Sequence, residues 1–119
     1  STDLFYYKQS DCRLSPNEVS LQVSVEDPSG ISQVEVYFRA KVKATGETTE
    51  WVSRVMRLAS DNMYQSTIDA GWIPEGAAPA DAWLQYQFIA TTNEGAVMRS
   101  EVFGDVSIEG CPVDVRTHN

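Results

Sequence analysis

The sequence predicts an all-β fold, an antiparallel sandwich of two sheets with about seven strands, on three observations. Apolar residues recur at every second position in several short runs, the signature of strands with one buried face. Clusters of Gly, Pro, Asn, Asp and Ser punctuate those runs. No stretch carries a sustained 3.6-residue apolar period, so nothing argues for an amphipathic helix.

Taken in order, the first candidate is an edge strand at Leu4 to Lys8. Val19, Leu21, Val23 and Val25 then alternate with Ser20, Gln22, Ser24 and Glu26, the clearest strand pattern in the chain. Asp27-Pro28-Ser29-Gly30 follows. Asp can accept backbone N–H groups at the first position of a type I turn, Pro pre-sets φ at the second, and Gly is favoured at the fourth. The turn reading leaves Glu26 and Asp27 short of the further oxygen ligands that a cation needs. Ile31 to Lys43 reads as the next strand, with Val34, Val36 and Phe38 on one face and Glu35, Tyr37 and Arg39 on the other.

Ala44-Thr45-Gly46-Glu47 makes a hairpin turn, with Gly46 supplying the positive φ such loops use. A return strand is expected from Thr48 to Leu58, with Met56 and Leu58 pointing inward. After the turn at Ala59 to Asn62 comes a short strand, Met63 to Asp69, whose Tyr64, Ser66 and Ile68 share a face. Gly71 to Asp81 is too rich in Gly, Pro and Ala for a regular element. Leu84, Tyr86, Phe88 and Ala90 alternate with Gln85, Gln87, Ile89 and Thr91. A turn at Thr92-Asn93-Glu94-Gly95 leads to a last strand, Ala96 to Ile108, with a break expected at Gly104.

At 119 residues the chain suits one domain, 1–119. Its 42% apolar and 22% charged content is that of a folded globular protein. No apolar run approaches the roughly 20 residues that span a bilayer, and the N-terminal residues lack the order of a signal peptide. A net charge of −8 argues against nucleic acid and anionic lipid as generic partners. That charge is uneven. Arg39, Lys41, Lys43, Arg54 and Arg57 face only Glu47 and Glu50 within 39–57, a local +3 that leaves −11 for the rest. The basic hairpin is either a solvated face or a docking patch for an anionic partner.

Cys12 and Cys111 are the only cysteines and His118 the only histidine, too few and too scattered for a zinc site or a thiol–imidazole pair. Two buried thiols or one long-range disulfide remain. Six strands between the cysteines, each reversing direction, would put both sulfurs at one pole, as a bridge requires. The disulfide is therefore expected, and with it an oxidising compartment. Closing a loop of about 100 residues would stabilise by nearly 5 kcal/mol in the loop-entropy model.

Three stretches carry a family resemblance: "DPSGISQVEVYFR" at 27–39, "MYQSTI" at 63–68 and "LQYQFIATTNEGA" at 84–96. Together they resemble the immunoglobulin-like and fibronectin type III-like domains of bacterial extracellular proteins. That resemblance implies an Ig-like sandwich excised from a larger surface protein, exported, and set beside sensor, adhesion or hydrolase modules. The chain departs from antibody domains in lacking a cysteine pair within the strands and a Trp between them.

No nucleophile–base–orienter set, phosphate-binding loop, dinucleotide fingerprint or EF-hand is present, and no carboxylate pair stands out, so no enzyme and no cofactor are expected. Candidate binding residues are aromatic or basic. Trp72 sits in the Gly/Pro-rich loop, Trp51 opens the third strand of the six, Trp83 precedes a later one, and Arg39, Lys41, Lys43 and Arg54 mark the basic hairpin. The first functional expectation is a spacer or protein-interaction module whose partners are a protein or neighbouring domains. The alternatives are a carbohydrate-binding module using Trp72 with Trp83 or Trp51, and a ligand-sensing ectodomain.

Overall fold

The computed structural model describes residues 4–7, 18–69 and 81–110, the first of these as backbone only. Cys12, Cys111, Trp72 and His118 lie outside the described residues, and so do the expected disulfide and the Trp72 loop. Among the described residues there are nine strands: β1 (Leu4–Tyr7), β2 (Val19–Ser24), β3 (Ile31–Val42), β4 (Val52–Val55), β5 (Arg57–Ser60), β6 (Met63–Ile68), β7 (Ala82–Thr92), β8 (Val97–Arg99) and β9 (Phe103–Gly110). They form two sheets, one ordered β1-β9-β7-β3-β4 with β8 also paired to β7, the other β2-β6-β5. The all-β, two-sheet sandwich expected from the alternation is thus the fold.

Six passes cross the sandwich between residues 18 and 110, because β4 with β5 and β8 with β9 are each one pass divided in two. The divisions correct three expectations. First, Met56 is buried at 5% but Leu58 is 54% exposed. The chain leaves the large sheet after Val55 and joins the small one at Arg57, so period-2 alternation does not carry through Met56. Second, the return strand does not start at Thr48, which makes a single bridge to Lys41. The Ala40 N–H is taken by Thr49 Oγ1 at 3.0 Å, a side chain in the place of a ladder carbonyl. Third, the last pass breaks at Ser100–Val102 rather than at Gly104. There Ser100 Oγ accepts the Phe88 N–H at 2.9 Å; at Gly104 the strand continues but with a register shift, three steps from Phe103 to Val106 on β9 facing two from Tyr86 to Leu84 on β7.

One pairing is parallel: β1 lies along β9 with Leu4 opposite Ser107 and Tyr7 opposite Gly110. Strands from opposite ends of the chain are joined by no hairpin, so turn geometry does not dictate their direction.

The longest ladder, β3 against β7, runs from Ile31↔Thr92 to Val42↔Ala82. Its inward residues, Val34, Val36, Phe38 and Ala40 with Ala82, Leu84, Tyr86, Phe88 and Ala90, form the floor of the core. Val19, Leu21 and Ile68 of the small sheet close over it, with Val106 and Ile108 of β9 beside them. Phe38, Leu84, Ile68 and Ile108 are essentially inaccessible to solvent. Truncating such a side chain to Ala costs about 2–5 kcal/mol, transfer and cavity terms together. Tyr86 bridges core and rim. Its ring packs against Phe88 and Phe103 at centroid distances of 5.6 and 5.3 Å, and its OH donates to Asp105 Oδ1 at 2.9 Å.

At one pole the β2–β3 and β7–β8 turns interlock. Gly30 N–H donates to Asp27 O at 2.9 Å, and Ser29 N–H to Asp27 Oδ2 at 3.0 Å, as expected for an Asp-led turn. Asn93 then ties the two turns together, its N–H to Gly30 O and its Nδ2 to Ser29 O, both at 2.9 Å.

Candidate functional site

Side chains alternate across a strand, so burying Val34, Val36, Phe38 and Ala40 commits Tyr37, Arg39 and Lys41 to the outer face of the large sheet. The same rule turns Trp83, Gln85 and Gln87 of β7 outward. Pairing then decides which of them are neighbours: Tyr37↔Gln87, Arg39↔Gln85 and Lys41↔Trp83 on one side of the ladder, Trp83↔Ser107 on the other. Trp51 directly precedes Val52, the partner of Phe38, and so continues the β4 register to Arg39.

Two indole–cation pairs result. The Arg39 guanidinium lies 4.3 Å from the Trp51 ring centroid, and the Lys43 ammonium 4.2 Å from that of Trp83. Each is close enough for the ring quadrupole to attract the charge, worth about 0.5–1 kcal/mol at an exposed site. The indoles remain 40% and 39% exposed. Arg39 Nε donates to Gln85 Oε1 at 2.8 Å and Lys43 Nζ to Ser107 Oγ at 2.5 Å, so both cations are positioned by neutral oxygens. Among the described residues no carboxylate pairs with Arg39, Lys41 or Lys43. One carboxylate is linked indirectly: Ser107 Oγ, which accepts from Lys43, donates to Glu109 Oε2 at 3.4 Å.

Five of the seven residues singled out in the sequence therefore share one face: Trp51, Trp83, Arg39, Lys41 and Lys43. Arg54 does not. It pairs with Val36 and so lies on the opposite side of the sheet, its guanidinium 5.6 Å from the Phe38 ring at the open edge of the sandwich. Trp83 is inside β7 rather than ahead of a strand. Gln85, Tyr37 and Ser107 were not anticipated. Their alternation was legible, but the β3–β7 register that sets Gln85 beside Arg39 was not.

Two clefts lie away from this face. One, of about 580 Å³, opens between β2 and the β7–β9 side and is lined by Leu21, Val23, Met63, Tyr86, Phe88 and Phe103, with Asp105 at its rim. The other, of about 640 Å³, lies by the β2–β3 turn and includes Glu26, Asp27 and Asn62. Two of its three carboxylates, with Asp61 the third, are engaged locally: Asn62 Nδ2 donates to Glu26 Oε1, and the Ser29 hydroxyl and N–H donate to Asp27. Those bonds from the Ser29 side chain and backbone hold the Asp27 carboxyl below its ordinary value. Among the described residues no set of three or more His, Cys, Asp or Glu side chains is placed to hold a metal ion.

Comparison with protein-family models, with curated proteins and with solved structures finds no match to this chain.

Proposed function

We propose that this chain is a non-catalytic, exported Ig-like module that docks a negatively charged partner on the outer face of its large sheet. One observation carries the reading: in a protein of net charge −8, three cations on one face have no carboxylate partner among the described residues, and two of them are held over exposed indoles. Aromatic and arginine side chains are the groups that most often dominate binding surfaces. The carboxylates that would meet this face belong to a protein partner, to a neighbouring domain of the same parent chain, or to a polysaccharide.

The Ig-like assignment is supported by strand order. β2-β6-β5 against β9-β7-β3 follows the immunoglobulin arrangement of B, E and D facing G, F and C. Export is supported by the β1 register. Tyr7 lies opposite Gly110, so Cys111 is one residue beyond one member of that pair and Cys12 five beyond the other. Five residues reach at most about 18 Å, enough for the two sulfurs to meet without disturbing either strand.

The docking reading is tested on a sulfonate cation exchanger at pH 7 and low salt. An acidic protein of evenly spread charge would flow through. This one should be retarded, and the triple variant R39Q/K41Q/K43Q should not; wild-type protein in the flow-through would end the proposal. Export is tested by a thiol assay on denatured, unreduced protein, where two free sulfhydryls would remove its support.

A further inference from the structure

Resting on that reading of the outer face, we propose that its ligand is a carboxylated polysaccharide, an extended glycan bearing uronate groups. Three features separate it from an acidic protein surface. The first is the chemistry at the centre of the face. Protein interfaces bury an apolar core depleted of charge. Here the rows of Trp51 and Trp83 hold Arg39, Gln85 and Lys41, with Tyr37 in the next row beyond Arg39, groups that exchange hydrogen bonds with hydroxyls and carboxylates. Exposed aliphatic side chains such as Leu58 and Val102 lie outside those rows.

The second feature is repetition. The site offers the same device twice, an exposed indole with a cation on its ring. Two strand spacings and two residues along the strands separate Trp51 from Trp83, which places the pairs about 12 Å apart in the plane of the sheet. A polymer that repeats a pyranose and a carboxylate along its axis can use both; a protein surface has no reason to repeat.

The third feature is charge. Arg39 and Lys43 are pre-positioned by Gln85 and Ser107 and have no carboxylate partner among the described residues, and Lys41 stands between them on β3. Cations already fixed over rings lose little side-chain freedom when a carboxylate arrives, which favours binding.

Affinity electrophoresis through gels containing polygalacturonate, its fully methyl-esterified form, or poly-L-glutamate tests the proposal. Retardation by polygalacturonate, at least tenfold stronger than by either of the other two polymers, is the expected result. Arg39→Gln and Lys43→Gln should each weaken it several-fold. Lys41→Gln, which removes an exposed charge and no packing, should weaken it as well, while Arg57→Gln on the small sheet removes the same charge and leaves it unchanged. Equal or stronger retardation by poly-L-glutamate would overturn the polysaccharide and leave the anion-docking face standing. Equal retardation by the methyl ester would overturn the role of the carboxylates. No retardation by any polymer, with retention on the sulfonate resin intact, would overturn this inference alone; loss of both would overturn the docking face too.

Discussion

Gly30 concentrates the demands of the β2–β3 turn on one residue. Its φ is +88°, and a Cβ built on it would sit 2.4 Å from Asn93 Nδ2. Gly30→Ala therefore meets two penalties, backbone strain of about 1–2 kcal/mol and displacement of the Asn93 amide that joins the turns. Urea denaturation should show a loss of about 1–3 kcal/mol, and in an Asn93→Ala background the same substitution should lose only the backbone part. Asp27, at the head of this turn, has a carboxyl held below its ordinary value of 3.8 by the Ser29 side-chain and backbone hydrogen bonds. A depressed folded-state value means that its contribution is present above pH 3.8 and fades as pH falls through the lower folded-state value. NMR titration should find the Asp27 midpoint below that of a free Asp and Ser29→Ala should move it back up; an unmoved midpoint would refute the assignment. The turn itself was readable, because Asp, Pro and Gly state their geometry locally. Its contact with Asn93, 63 positions away, was not.

Strands β2, β3 and β7 are where local pattern and fold agree most closely. β2 and β7 keep one face in the core throughout, and β3 does so from Val34 onward, past an irregularity at Ile31–Gln33, so alternation in the residues maps directly onto alternation in burial there. The pass through Met56 is where they part. Leu58 reads as the inward partner of Met56, yet the strand changes sheets between them and Leu58 emerges on an edge strand. Stability should follow the structure. Met56→Ala should cost about 2–4 kcal/mol, as for a buried side chain, whereas Leu58→Ser should stay within about 0.5 kcal/mol, as for an exposed position. A loss at Leu58 equal to that at Met56 would mean that the alternation, not the sheet change, describes this pass. The outer face shows the same division of information: which residues point outward was legible strand by strand, but not which strands stand side by side.

For the molecule as a whole, stability rests on a core shared by both sheets and, on the export proposal, on a covalent link between its two ends. Phe38→Ala removes the largest fully buried side chain among the described residues and should lower stability by about 3–5 kcal/mol in urea. Reduction of the proposed Cys12–Cys111 bridge should lower the melting temperature while leaving a β-type circular dichroism spectrum, because the sheets are complete without it. By itself the sequence determined the all-β class, the inward and outward residues of the regular strands, and the turns, because a pleat of period two and the φ demands of Gly, Pro and Asp act between near neighbours. Only the tertiary structure decided that β3 lies against β7, that β1 joins β9 in parallel, and that Trp51, Arg39, Lys41, Lys43 and Trp83 share one face. Those outcomes depend on how two apolar sheet faces close over a common core, a free energy set by contacts between residues tens of positions apart, which no local pattern contains.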